Sequence, residues 1–296
     1  MVVATGFFDG VHTGHRLVLG RLVDAAAERG EESLVVTFWP HPRNVLQSDA
    51  SSLRLLNSLD EKKALIKGLG VDRIEVVPFT KEFSRMTAYE YFREYVSVRF
   101  GGTAVVLGYD NRVGSDCGNM EDAAESARRA GLDVIIADSL TSCTGTPVSS
   151  TWIRAMIESG EVDTAATMLG YRYSLTGVVV AGEKLGKSMG FPTANMELYE
   201  PLKMIPESGS YFVEVHTTGR KYYGMCNIGC RPTVREGNAR TIETNIFDFD
   251  EDIYGLDITV SFIRRIRKEI RFSSLDALKE QLDKDRELCR DMIEAE

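Results

Sequence analysis

Along the first half of the chain, short apolar runs alternate with stretches whose apolar positions recur at helical spacing. Val2–Thr5 predicts a strand, Leu17–Glu28 a helix stopped by Gly30, and Ser33–Phe38 a second strand. Leu59–Leu69 predicts a helix ending at Gly70, Ile74–Pro78 an extended segment, Tyr89–Arg99 a helix, and Ala104–Gly108 a strand. Glu121–Ala130 reads as a helix stopped by Gly131, and Val134–Ala137 as one more strand. The runs SLVVTF, TAVVLG and DVIIAD are apolar throughout, as strands buried on both faces must be. The pattern predicts an α/β domain with a parallel sheet covered by helices on both faces.

The texture changes near Gly170. Ser150–Glu158 and Val162–Leu169 still carry helical spacing, with Gly170 as a stop signal. Beyond it, Tyr173–Val180, Tyr211–His216, Lys221–Ile228, Thr241–Phe249 and Asp257–Ile263 are β-rich and separated by turn residues. With no helix between them, they predict an antiparallel barrel or sandwich. An amphipathic helix over Leu275–Ala295, introduced by Ser273 and Ser274 as caps, closes the chain. Two domains are expected, 1–169 and 170–296.

Composition narrows the class. The chain has 296 residues, with 35 Lys+Arg against 44 Asp+Glu for a net charge of −9, and is 43% hydrophobic. That is a globular composition, and its acidic balance argues against a general nucleic-acid coat. No apolar run approaches the roughly 20 residues that span a bilayer, and nothing marks the N-terminus for export. A cytoplasmic protein without membrane or nucleic-acid partners is expected. The five cysteines are odd in number and scattered, which predicts reduced thiols rather than a disulfide framework. Cys226 and Cys230 lack a second Cys/His pair to complete a zinc site. Of the four histidines, His12, His15 and His41 fall within the first 41 residues.

The segment T-G-F-F-D-G-V-H-T-G-H runs from Thr5 to His15, between the first strand and the first helix. Open α/β sheets bind ligands beyond the carboxyl ends of their strands, where this segment lies. Gly6 and Gly10 let the backbone turn and approach a ligand, and Gly14 sits where the helix starts. A helix N-terminus offers free N–H groups and partial positive charge to a phosphate. His12 and His15, three apart, can face one ligand. One histidine beside glycine reads as a turn residue; two at this spacing and place outweigh that reading. No Walker loop occurs, and H-x-G-H resembles nucleotidyltransferases related to class I aminoacyl-tRNA synthetases. T-F-W-P-H-P-R sets His41 between prolines. V-L-G-Y-D-N-R-V-G brings Tyr109, Asp110 and Arg112 to the same edge. P-V-S-S-T-W-I-R puts Ser150 and Arg154 on one helix face, with Ser149 and Ser150 as caps. Taken singly, these are an ordinary cap and a solvated charge.

In the second domain, G-E-K-L-G-K-S-M-G-F-P-T-A-N makes a flexible basic loop from Gly182, Lys184, Gly186, Lys187 and Gly190. A plain hairpin loop uses the same residues. If P-T-A-N is extended, Thr193 and Asn195 point to one side and could hold Mg²⁺ and phosphate oxygens. In T-I-E-T-N-I-F-D-F-D, Glu243 is a general-base candidate for a hydroxyl nucleophile, or an ordinary polar-face glutamate. Ile263–Phe272 is rich in arginine and also reads as a solvated strand edge.

In order, F-D-G-V-H-T-G-H, P-H-P, G-Y-D, V-S-S-T-W-I-R, G-F-P-T-A-N, N-I-G-C-R-P-T and I-E-T-N-I-F-D-F-D-E-D-I-Y-G closely resemble the bifunctional riboflavin kinase/FAD synthetases of bacteria. The likeness covers essentially the whole chain. It implies a Rossmann-like nucleotidyltransferase domain followed by a β-barrel kinase domain with a C-terminal helix. It also implies MgATP-dependent conversion of riboflavin to FMN, then of FMN to FAD and pyrophosphate. By position, His12, His15 and Glu243 would be catalytic. Gly6, Phe8, Asp9, Gly10, Gly14, Ser149, Ser150 and Arg154 would bind nucleotide in the first site. Gly182, Lys184, Gly186, Lys187, Gly190 and Asn195 would do so in the second. Thr193 and Asn195 would hold the metal, and His41, Pro42, Asp110 and Arg267 the flavin. A monomer or weak homo-oligomer is expected. The family usually has an aromatic residue where this chain reads Asn111 or Val113, and often a histidine in place of Asn245. The alternatives are an adenylyltransferase with another acceptor, or one with a non-catalytic flavin-binding C-terminal module.

Overall fold

The computed structural model describes residues 1–46, 53–108, 112–137, 148–182, 186, 189–230 and 240–294. The chain divides into two compact units, Met1–Ser150 and Thr151–Glu296.

Five parallel strands build the first unit: β1 (Val2–Thr5), β2 (Ser33–Trp39), β3 (Arg73–Pro78), β4 (Ala104–Leu107) and β5 (Asp133–Ile136), in the order β3-β2-β1-β4-β5. The chain starts in the middle, winds outward through β2 and β3, then returns to the other side of β1. The switch point therefore lies between β1 and β4, where the carboxyl ends open a crevice. Neighbouring side chains on each strand point to opposite faces. Val3, Leu34, Val36 and Val105 pack on one side with Phe92 and Ala127, and Val2, Ala4, Val35 and Val106 on the other with Leu19, Leu22 and Ile66. The helices are α1 (Thr13–Arg29), α2 (Pro42–Leu46), α3 (Leu59–Lys67), α4 (Ala88–Glu90, continued by a π-helical stretch Tyr91–Arg99) and α5 (Met120–Arg129).

Two differences from the pattern have local causes. α1 starts four residues before its apolar periodicity, because the His12 side chain caps it by accepting the His15 N–H. The expected helix over Tyr89–Arg99 is mostly π-helical. Its i→i+5 bonding still buries Tyr91, Phe92 and Val96, so over nine residues the pattern looks the same.

The second unit opens with α6 (Ser150–Ser159, from its second residue on) and α7 (Val162–Leu169), which Gly170 ends in the left-handed region. Next come β6 (Ser174–Val180), β7 (Ala194–Leu198), β8 (Gly209–Thr217), β9 (Arg220–Cys230), β10 (Arg240–Ile246) and β11 (Asp257–Lys268). They close an antiparallel barrel in the order β10-β7-β6-β11-β8-β9, so the barrel and not the sandwich is realised. β7 is a strand the sequence pattern did not separate, and β11 extends into the arginine-rich run.

The last helix, α8 (Leu275–Glu294), packs Leu282 and Cys289 against Phe212 and Met225 on the outer face of the barrel. Ser274 caps it through the Ala277 N–H at 3.2 Å. Arg267 ties it down: its Nε lies 2.8 Å from Oδ2 of Asp285, which is 2% exposed.

Candidate active sites

β1 ends at the switch point, and the next residues carry the first histidine pair. Phe8 (φ 53°) and Val11 (φ 36°) flank Gly10 (φ 85°), so two side-chain-bearing residues adopt the left-handed region within one turn. Such backbone is held only where its surroundings over-determine it. Here the Gly6 N–H bonds the Val36 carbonyl at 3.1 Å and Arg16 Nε the Val11 carbonyl at 3.2 Å. The Asp9 carboxylate, 4% exposed, accepts the N–H groups of Leu56 (3.1 Å) and Asn57 (3.2 Å). Asp9 is thus a structural anchor of the turn as well as a member of the motif.

The rings of His12 and His15 stack, with centroids 3.6 Å apart and planes 19° from parallel. A Cβ on Gly14 would lie 3.2 Å from the His12 ring, closer than an ordinary van der Waals contact. His12 Nδ1 accepts from the His15 N–H at 3.3 Å, so the neutral ring carries its proton on Nε2. His15 is held well below the usual imidazole value by burial, then by His12 and by Lys62. Its Nδ1 is a buried polar atom without a hydrogen-bond partner. A stacked pair at a helix N-terminus, one member with an unsatisfied ring nitrogen, is built to meet an oxygen-rich ligand.

His41 is fixed beside this turn. Its Nδ1 accepts from the Arg43 N–H at 3.0 Å, at the start of the helix that Pro42 opens, and its ring meets Phe7 at 3.9 Å. Phe38, Phe79 and Phe83 add a half-buried aromatic group with centroids 5.5 to 6.0 Å apart. The sequence pattern does not bring them together, because Phe38 lies near the end of β2 while Phe79 and Phe83 follow β3, some forty residues on. The Ser150 hydroxyl donates to the Asp9 carbonyl at 2.9 Å, joining the V-S-S motif to the F-D-G turn. Arg154 lies one turn further along α6. Asp110, with Tyr109 and Asn111, lies outside the described residues; Val113 is buried.

In the barrel, Glu243 is the direct cross-strand partner of Asn195 on one side and of Asn227 on the other. The row continues through Ser210 to Arg267. Paired residues project from the same face, so Asn195, itself buried, Glu243 and Asn227 share the barrel's outward face while Ile242 and Thr244 point inward. The glycine loop meets this row: a Cβ on Gly182 would lie 2.1 Å from Asn195 Nδ2, and one on Gly186 would lie 3.5 Å from Thr193 Cγ2. Gly190 has φ 85°. Asn245 Nδ2 donates to the Pro192 carbonyl at 2.7 Å and so fixes the residue before Thr193. Lys184 and Lys187 lie outside the described residues. Arg267 is engaged with Asp285 on α8.

The hydroxyl of Thr193 and the carboxamide of Asn195 are hard oxygen donors of the kind magnesium takes together with substrate phosphates. Among the described residues no group of three or more His, Cys, Asp or Glu could hold a metal by itself. Thr193 and Asn195 fit a metal shared with phosphate, with the Glu243 carboxylate beside them.

Comparison with known proteins places both halves of the chain in known families. Residues 1–152 match the family model for FAD synthetase and residues 169–293 that for riboflavin kinase. Proteins named bifunctional riboflavin kinase/FMN adenylyltransferase are similar over nearly the whole chain. That of Bacillus subtilis is 34% identical (97% of this chain, 90% of the relative) and that of Listeria monocytogenes 36% (98% and 91%). That of Escherichia coli K12 is 34% identical over 99% of this chain and 92% of its own. A Streptococcus pneumoniae crystal structure described as a macrolide-efflux protein superposes with a TM-score of 0.89 at 32% identity, covering 98% of this chain and 93% of that one. No helix among the described residues is long and apolar enough to cross a membrane. The chain belongs to the bifunctional riboflavin kinase/FAD synthetase family.

Proposed function

We propose that the chain's two activities, phosphorylation of riboflavin to FMN and adenylylation of FMN to FAD, rest on the residues assembled above. Adenylyl transfer is assigned to residues 1–169 and phosphoryl transfer to residues 170–296. Both reactions are charge-stabilised displacements at phosphorus, so positioning and hydrogen-bond donors do most of the work.

In the first reaction, a phosphate oxygen of FMN bonds to the α-phosphorus of ATP as the bond to pyrophosphate breaks. His12 Nε2–H, His15 and the α1 N-terminus donate to the phosphate oxygens. Gly6, Phe8, Asp9, Gly10 and Gly14 shape the turn that admits them, and Ser149, Ser150 and Arg154 close on the nucleotide. His41, Pro42 and Asp110 are assigned to the flavin, with the Phe38–Phe79–Phe83 group as an apolar wall for its ring.

In the second reaction, Glu243 accepts the proton of the ribityl 5′-hydroxyl while that oxygen bonds to the γ-phosphorus and ADP departs. Gly182, Lys184, Gly186, Lys187 and Gly190 wrap the phosphates. Thr193 and Asn195 would hold magnesium together with phosphate oxygens, and the ion would supply charge neutralisation to the transferring group. Arg267 serves the flavin side through its anchor on α8. The observation that carries this assignment is the pairing of Glu243 with Asn195, which sets a base beside a metal ligand. We place the enzyme in the cytoplasm as a monomer or weak homo-oligomer, without membrane or nucleic-acid partners. The acidic balance and the free thiols of Cys117, Cys226 and Cys289 support that reading.

One incubation of the full chain with riboflavin, ATP and Mg²⁺, followed by chromatography of the flavins, tests both halves. FMN should appear first and FAD after it; riboflavin left unchanged overturns the reading.

A further inference from the structure

Lys62 is the one lysine of α3 that turns inward. It is 1% exposed, four residues before Ile66 on the buried face of the helix. Its Nζ donates to the Phe7 carbonyl at 3.0 Å and stands 3.9 Å from the centroid of the Phe7 ring. The same carbonyl accepts from Thr37 Oγ1 at 3.2 Å, and the same ring meets His41. Phe7 is thus held by groups from β2, α3 and the loop before α2, directly before the strained turn that carries the histidines.

A lysine is an expensive way to fill that space. Burial pushes its amine down to about 8, with Asp9 drawing it back up and Lys63 pushing it further down. An uncharged chain of the same length would pack there without that penalty. Residues that oppose stability beside a reaction centre are commonly kept for the reaction. The charge also reaches the histidine pair, since Lys62 is one of the groups that depress His15, after burial and His12.

We propose that Lys62 is a positioning residue for adenylyl transfer: its ammonium fixes the Phe7 carbonyl and ring, and so sets the turn that presents His12 and His15. It is too deeply buried to touch the nucleotide, so it acts through Phe7 and through its field on His15. The proposal rests on the assignment of Phe7–His15 to the adenylyl-transfer site.

The barrel provides an internal control, because FMN formation from riboflavin does not use this loop. The full-length Lys62→Met and Lys62→Gln variants are compared with wild type and with His12→Ala. FAD formation from FMN, FMN formation from riboflavin, the melting midpoint and the imidazole NMR titration of the four histidines are read for each. In Lys62→Met, kcat for FAD formation should fall about a hundredfold, the loss expected when a reacting group is misplaced by an ångström. FMN formation should hold at the wild-type rate, and melting should come no lower than wild type. The His15 titration should move to higher pH, with His216 as the unmoved reference. A structural role would lower the melting midpoint and leave the His15 titration in place. That result, or FAD formation at the wild-type rate, overturns the proposal. If Lys62→Met loses FMN formation too, Lys62→Gln, which keeps a donor without the charge, is judged by the same criteria. FAD formation retained in His12→Ala would sink the site assignment itself; lost there but intact in the Lys62 variants, only the role of Lys62 fails.

Discussion

Asn195 and Glu243 stand directly opposite each other across β7 and β10, and Asn227 flanks Glu243 from β9. A single carboxylate between two carboxamides keeps its place because both neighbours are fixed by ladder pairing. Its chemistry is then a matter of charge and proton acceptance. Glu243→Gln keeps the shape but removes the base and replaces one acceptor oxygen with an N–H donor. FMN formation should fall by about 10² to 10⁴, the usual span for a general base. FAD formation from supplied FMN should be unchanged, and unchanged FMN formation would remove Glu243 from the mechanism.

His12 and His15 are proposed to serve the other reaction. The double replacement by Ala removes both ring donors and the His12 cap on α1. Loss of a single preorganised donor commonly lowers kcat by about 10² to 10³. Supplied with riboflavin, the variant should accumulate FMN without FAD, which chromatography resolves directly.

Gly182→Ala tests the close approach of the phosphate loop to Asn195. The new Cβ would lie 2.1 Å from Nδ2 and 2.5 Å from Cγ of Asn195, so the carboxamide or the loop must move. We expect kcat/KM for MgATP in FMN formation to drop about tenfold or more, in line with the sensitivity of positioned groups to displacement. FAD formation is the control and should not change.

Asp285→Asn breaks the tether between α8 and the barrel. Arg267 is 14% and Asp285 2% exposed, so the guanidinium would lose its counter-charge in a largely dry site. Removing one partner of a buried pair costs about 3 to 5 kcal/mol, and the asparagine isostere should lie at the low end. Calorimetry should show the barrel's transition lowered, with FAD formation at ordinary temperature retained.

Lys62 gives a stability signature on the alkaline side. Its folded value of about 8 lies below the ordinary 10.5, so above pH 10.5 neither folded nor unfolded chain holds the proton. As pH falls from 10.5 towards 8, the unfolded chain is protonated first and the folded state loses stability; below 8 the deficit is constant. Wild type should therefore gain on Lys62→Met as pH rises from 8 towards 10, with Asp9, His15 and Lys63 as the neighbouring charges. Parallel melting curves of the two proteins across that range would contradict the assignment.

Much of this was legible in the sequence because it is local. Phe8–His15 carries its turn, its cap and its donors within eight residues, and P-T-A-N and I-E-T-N each show which residues share a face. What joins them is not local. The pairing of Asn195 with Glu243 depends on barrel closure, and the Phe38–Phe79–Phe83 group on the parallel pairing of β2 with β3. The ion pair of Arg267 with Asp285, eighteen positions later on α8, leaves no mark in the strand pattern. Lys62 did leave a mark: it stands at helical spacing from Ile66 and Leu69, within the apolar stripe. Beside Glu61 and Lys63, that spacing alone does not tell a buried lysine from a solvated one.

Barrel closure also limits how the kinase half can change. β10 is paired along both edges, so its residues cannot slide against one neighbour without breaking from the other. Because side chains alternate, inserting or deleting one residue in β10 would not shift the carboxylate along the surface. It would turn Glu243 into the barrel and bring Ile242 or Thr244 out. Substitutions can tune this strand, but changes in its length should be lethal to the kinase, whereas length changes in the Gly182–Gly190 loop should be graded in effect.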